Sequence, residues 1–175
     1  CTNVCLRMDR SPHNTILDND LSYGLRIKPG EVHARDSAGV LIESGSDHNL
    51  FYRNDITHGG DGVFVRALNE YVSAGNVFIE NDCSHAHNNG FEAWTPAEVY
   101  IRNRANHCSF GFWLGGSDRT VLLGNEAAHN GARGGQANAP APEFGHAGII
   151  AFGGSSSHTL ADGNHCHHNG GGGLV

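Results

Sequence analysis

One asparagine recurs along the chain inside phrases of nearly the same shape, and its spacing limits what the chain can fold into. The phrases are NTILDNDLSY (14–23), NLFYRNDITH (49–58), NVFIENDCSH (76–85), EVYIRNRANH (98–107), TVLLGNEAAH (120–129) and TLADGNHCHH (159–168). The shared asparagine falls at Asn19, Asn54, Asn81, Asn103, Asn125 and Asn164, at intervals of 35, 27, 22, 22 and 39. Two adjacent steps of 22 set the basic period, and the longer steps are that period plus insertions.

After most phrases comes a short apolar run led by glycine: Gly39–Glu43, Gly62–Arg66, Gly90–Trp94, Gly111–Gly115, Gly148–Phe152 and a last one from Gly173. These runs are rich in β-branched and aromatic residues, which favour strands. The segments between them carry Gly, Asn, Asp and Ser, which suit tight turns. A period of ~22 residues is too short for a helical pair and fits one turn of a β-solenoid. The 25 glycines, roughly twice the usual share, follow from so many turns.

With these repeats the chain resembles the right-handed parallel β-helix superfamily, the pectate-lyase-like and NosD-like carbohydrate-binding and sugar-hydrolase repeats. The resemblance runs from about Asn3 to Val175. It implies an all-β right-handed parallel β-helix solenoid of about six rungs forming a single domain over 1–175. It also implies a polysaccharide ligand. Members include lyases, hydrolases, epimerases and non-catalytic modules, so the resemblance speaks to fold more than to activity. Arg26-Ile27-Lys28 matches a tripeptide of the polygalacturonase-like hydrolases, but it precedes the repeats and lacks that family's Asp-Asp and Gly-His-Gly partners. The match is taken as chance. The Asp-Pro-His-Asp pattern of mannuronan epimerases is absent as well.

Stacked rungs at ~4.8 Å place like positions above one another. The asparagines would form an amide ladder. Two residues on, Leu21, Ile56, Cys83, Ala105, Ala127 and Cys166 make a small apolar core column. Cys83 and Cys166 would stand three rungs, ~14 Å, apart, too far for a disulfide. Four residues on, Tyr23, His58, His85, His107, His129 and His168 make a ring ladder, which accounts for many of the thirteen histidines. Packing at a turn is the preferred reading. A linear array supplies neighbours rather than the convergent ligands that a metal needs, so no residue is assigned as a metal ligand. The denser set His165, His167 and His168 is where incidental metal capture is expected.

Within the glycine-led strands, alternation points Val40, Val63, Phe91, Phe112 and Ile149 inward. Outward go Leu41, Phe64, Glu92, Trp113 and Ile150, then Glu43, Arg66, Trp94, Gly115 and Phe152. Both tryptophans of the chain fall on this face, beside carboxylates. That combination suits sugars, whose C–H faces stack on indoles and whose hydroxyls bond carboxylates. Packing under a loop or an interface is the alternative. The insertions 24–36 and 131–146 leave the repeat at the same place, so they would emerge on one edge about 19 Å apart and wall a groove. Trp94, Trp113, Phe64, His33, His146 and Glu143 are therefore the candidate substrate contacts.

Chemistry at such a groove has two forms. Glu92 and Glu43 would be the acid and base of a glycoside hydrolase, ~10 Å apart by strand spacing, nearer the inverting arrangement. In a lyase or epimerase, Arg66, His33 or His146 would act beside a uronate carboxyl. There Asp61, Glu92 and Glu143 are candidate ligands for calcium, the one cofactor considered.

Composition narrows the partners. The net charge of −7 argues against a nucleic-acid partner, which needs a basic footprint. No apolar run approaches the ~18 residues of a membrane span. The phrases before each asparagine are apolar on both faces, so a second subunit, a loop or another domain is expected to cover the outer one. The chain starts at Cys1 without a visible signal peptide, as a processed chain or a segment would; a lipoprotein's first residue is the less favoured reading. Asn3–Met8 already reads as a strand and the last strand stops at Val175, so uncapped ends and a longer native protein are expected. The leading expectation is an extracellular or periplasmic protein that recognises, and as a further step cleaves, a polysaccharide. A non-catalytic adhesin-like module and a periplasmic metal-handling module stand as alternatives.

Overall fold

The computed structural model describes residues 1–28, 37–131 and 146–175. Among them there are strands and turns and no helix, so none is long and apolar enough to cross a membrane. The first sheet contains β1 (Val4–Asp9), β3 (Ala38–Glu43), β5 (Asp61–Val65), β7 (Asn89–Ala93), β9 (Phe110–Gly115) and β12 (Ile149–Phe152), in that order. The second contains β2 (Thr15–Leu17), β4 (Leu50–Tyr52), β6 (Val77–Ile79), β8 (Val99–Ile101), β10 (Val121–Leu123) and β13 (Leu160–Asp162), again in chain order. A third pairs β11 (Glu126–Ala128) with β14 (His165–His167). Every pairing between these strands is parallel. The fold is all-β, built of long parallel sheets.

Register follows the repeat. Phe51, Phe78, Tyr100 and Leu122 pair in one file, as do Val40, Val63, Phe91, Phe112 and Ile149 in the other sheet. Both files are buried in one core. Phe51, Phe78 and Tyr100 stack at 5.0 and 5.2 Å, and Phe91 stacks on Phe112 at 4.8 Å. Edge-on contacts such as Phe78–Phe91 join the two sheets. Each such side chain contributes roughly 1.5–3 kcal/mol of burial.

The corner beyond the asparagines closes on Ile56, Cys83, Ala105 and Ala127, all fully buried. The glycine that leads each first-sheet strand sits against them. A Cβ at Gly62 would lie 2.6 Å from Cys83 Cβ, and one at Gly90 would lie 2.6 Å from Ala105 Cβ. Close approach is what requires glycine here. The five cysteines are free. Burial pushes the Cys108 thiol up to about 12, which makes it unreactive.

The amide ladder runs the length of the structure. In each step the lower asparagine gives both its backbone N–H and its side-chain N–H to the Oδ1 of the next, from Asn19 through Asn54, Asn81, Asn103 and Asn125 to Asn164, at 2.9–3.1 Å. A second ladder, which the sequence reading missed, joins Asn14, Asn49 and Asn76 and ends on Glu98. A third links Asn130 to Asn169. The signal for both was present in the same steps of 35, 27, 22 and 39 residues. Burial holds the Glu98 carboxyl well above the usual range, and its oxygens accept from Asn76 where an amide stands in the other steps.

Candidate functional site

The outer face of the first sheet is where the repeat stops copying itself. Leu41, Phe64, Glu92, Trp113 and Ile150 pair in one file, in the register the sequence predicts. These side chains lie outside the main core, and Trp113 and Ile150 join Phe110, Ala147 and Phe152 in a separate apolar cluster.

Two expectations for this face are corrected. Trp113 is only 4% exposed. Its ring meets Phe110 at 4.7 Å and Phe152 at 4.5 Å, both edge-on. The indole is packing, not an open floor. Glu43 is fully buried. Arg7 Nε donates to its Oε1 at 2.6 Å and Arg66 Nε to its Oε2 at 2.8 Å. Sequence-neighbouring repeats thus place a carboxylate between two guanidinium groups. Burial of a carboxylate requires such pairing, and it takes both oxygens away from acid–base work. Arg66 is drawn into the same arrangement and lies 5.6 Å from the Phe64 ring centre.

Glu92 and Trp94 stand differently. Glu92 is half-buried; its Oε1 accepts the indole N–H of Trp94 at 2.7 Å, and its Oε2 accepts Asn89 Nδ2 at 2.7 Å. Asn89 is in turn held by its backbone N–H on Asp61 Oδ1 at 3.0 Å. Its own Oδ1 is buried without a hydrogen-bond partner. Trp94 is 41% exposed and lies edge-on to Trp113 and Phe152. The ring rests over Gly115, where a Cβ would come within 2.4 Å of it. Glycine at this position is therefore what seats the indole. The result is a flat apolar ring, fixed at its N–H and beneath, beside a carboxylate.

His146 joins the apolar end of the face, stacking on Phe110 at 5.3 Å with Nδ1 3.2 Å from Ser109 Oγ. His33 and Glu143, with most of both insertions, lie outside the described residues. Asp61 and Glu92, proposed with Glu143 for calcium, belong to no group of three potential metal ligands among the described residues.

The ring ladder is stacked. Tyr23–His58, His58–His85, His85–His107, His107–His129 and His129–His168 stand 4.7–5.0 Å apart with nearly parallel rings. Each of these residues has φ between 56° and 61°. Histidine tolerates that left-handed conformation better than most residues, so the corner explains the histidine content. His13, His48 and His158 hold an equivalent corner at φ 53–60°. Burial first, then the neighbouring rings, lowers the pKa of His85; His129 shifts the same way. At the far end the array is no longer linear, because His167 stands at 85° to both His129 and His168. The sequence reading expected His165 with His167 and His168; the residue that converges with this pair is His129.

The chain matches no family model, no curated protein and no solved structure.

Proposed function

We propose that the chain winds as a right-handed parallel β-helix of about six turns and binds a polysaccharide on the outer face of its first sheet. Trp94 carries this reading. A half-exposed indole, seated on Gly115 and tied through Nε1 to Glu92, offers a pyranose ring a rigid stacking surface. Fixing the ring beforehand lowers the entropy lost on binding. The setting proposed with such a ligand is extracellular or periplasmic.

Recognition without cleavage is the form the geometry favours. Glycoside hydrolysis needs two working carboxyl groups, and Glu43 is engaged on both oxygens by Arg7 and Arg66. Glu92 then holds the Trp94 indole rather than serving as half of a catalytic pair.

A glycan array identifies the ligand, and calorimetry on variants tests the site. Trp94→Ala is expected to weaken binding at least tenfold, ~1.4 kcal/mol, and Glu92→Gln to weaken it less. Trp113→Ala should instead lower the thermal midpoint, because it opens a cavity. Undiminished glycan binding by a folded Trp94→Ala protein would reject the proposed face.

A further inference from the structure

The ring ladder has one place where a third histidine crosses two stacked ones. His129 leaves the turn after β11, and His168 stacks on it at 4.9 Å with the planes 7° apart. His167, the last residue of β14, turns its ring across both at 85°. His167 Nδ1 and His168 Nδ1 come to 2.7 Å. One ligand atom from each of the three histidines lies within 4.8 Å of the others. No other group of three potential ligands occurs among the described residues.

We infer that His129, His167 and His168 form a binding site for a divalent transition-metal ion of the zinc or copper class. Imidazole is a favoured donor for these ions, and three histidines with one open position is a recurring zinc arrangement. Metal–nitrogen bonds of ~2.0–2.1 Å place tetrahedral donors about 3.4 Å apart. The 2.7 Å pair, His167 and His168, has to open slightly and close on His129. His167 and His168 are exposed and free to adjust. His129 is held by its backbone N–H on His167 O at 3.1 Å and by stacking on His107. The ladder therefore orients one ligand from behind, as outer partners do in metal sites generally. Elsewhere in the ladder consecutive parallel rings offer two donors pointing the same way and no third ring across them. The site is separate from the Trp94 face and does not depend on its reading.

The test is a titration of the metal-stripped full chain with Zn2+ by calorimetry, and with Co2+ by visible absorption. One equivalent should bind with saturation, and Co2+ should show the intense bands of a tetrahedral site. His167→Ala and His168→Ala should each weaken binding at least tenfold. His85→Asn, within the ladder but away from the cluster, should leave affinity unchanged. His167 is exposed, so its variant should fold, and circular dichroism checks that it has. Absence of saturable binding at 100-fold excess of metal overturns the inference. So does stoichiometric binding that survives both alanine variants, which would place the ion elsewhere.

Discussion

The two large sheets show opposite outer faces. On the second, Val77, Val99 and Val121 pair in one file and Ile79, Ile101 and Leu123 in the next, all half-buried. On the first, Phe64 pairs with Glu92 and Glu92 with Trp113, and no two neighbours are alike. Both faces belong to parallel sheets of six strands, so backbone geometry does not separate them. A column that repeats its residue answers a need that recurs at every step, whether β-propensity, an amide bond or a left-handed corner. A column that changes at every step answers to something outside the stack. The proposed ligand face lies on the first sheet for this reason.

Substitution should divide the molecule along the same line. The largest loss is expected inside a repeated column. Asn103→Ala removes the acceptor for two N–H groups of Asn81 and the donor to Phe78 O. Each buried group left unpaired costs ~1–3 kcal/mol, so a total of about 3 kcal/mol or more is expected in denaturant unfolding. A loss near zero would show that the amides do not hold the repeats together.

Next comes Glu98, which breaks the repetition of its ladder with an acid. Its pKa is raised in the folded state, mainly by burial. The folded chain thus binds the proton more tightly than the unfolded one, and the stability this provides is lost as pH rises from about 4.3 toward the folded value. Glu98→Gln is neutral throughout. The variant and the parent should match near pH 4, and the variant should be the more stable at pH 8. His85 and His129 slope the other way. Both are shifted down, so their contribution is complete above about pH 6.5 and is lost as pH falls through the folded values. Parallel stability curves for parent and Glu98→Gln would remove the acid from this account.

The smallest effect is expected on the second sheet's outer face. Ile101→Thr keeps β-branching and alters a half-buried side chain, so it should cost no more than about 0.5 kcal/mol. A loss above ~2 kcal/mol, well outside the range for open surface sites, would mean that this stripe is covered in solution. Light scattering on the same samples would show whether a second copy covers it.

What could be read from the sequence divides in the same way. The 22-residue step gave the register of Leu41, Phe64, Glu92, Trp113 and Ile150, because register depends only on counting. The stacking of His85 on His107 followed for the same reason. Exposure did not follow. Trp113 and Glu43 point away from the main core as expected, yet both are buried, because outward side chains pack on one another and on residues such as Phe110 and Arg7 from other columns. Counting along one column does not reveal a partner in the next. The crossing of His167 over His129 escaped for that reason too. The seat of Trp94 on Gly115 was hidden in a column whose members share no chemistry.

The ladder step from Asn125 to Asn164 spans 39 residues, yet its two bonds are 2.9 Å each, the same as across steps of 22. The backbone thus registers where the chain returns and is indifferent to how far it travelled in between. For protein engineering, that corner is a docking port. Foreign peptides or entire reporter modules grafted there should leave the remaining scaffold undisturbed, which separates the choice of cargo from the problem of folding.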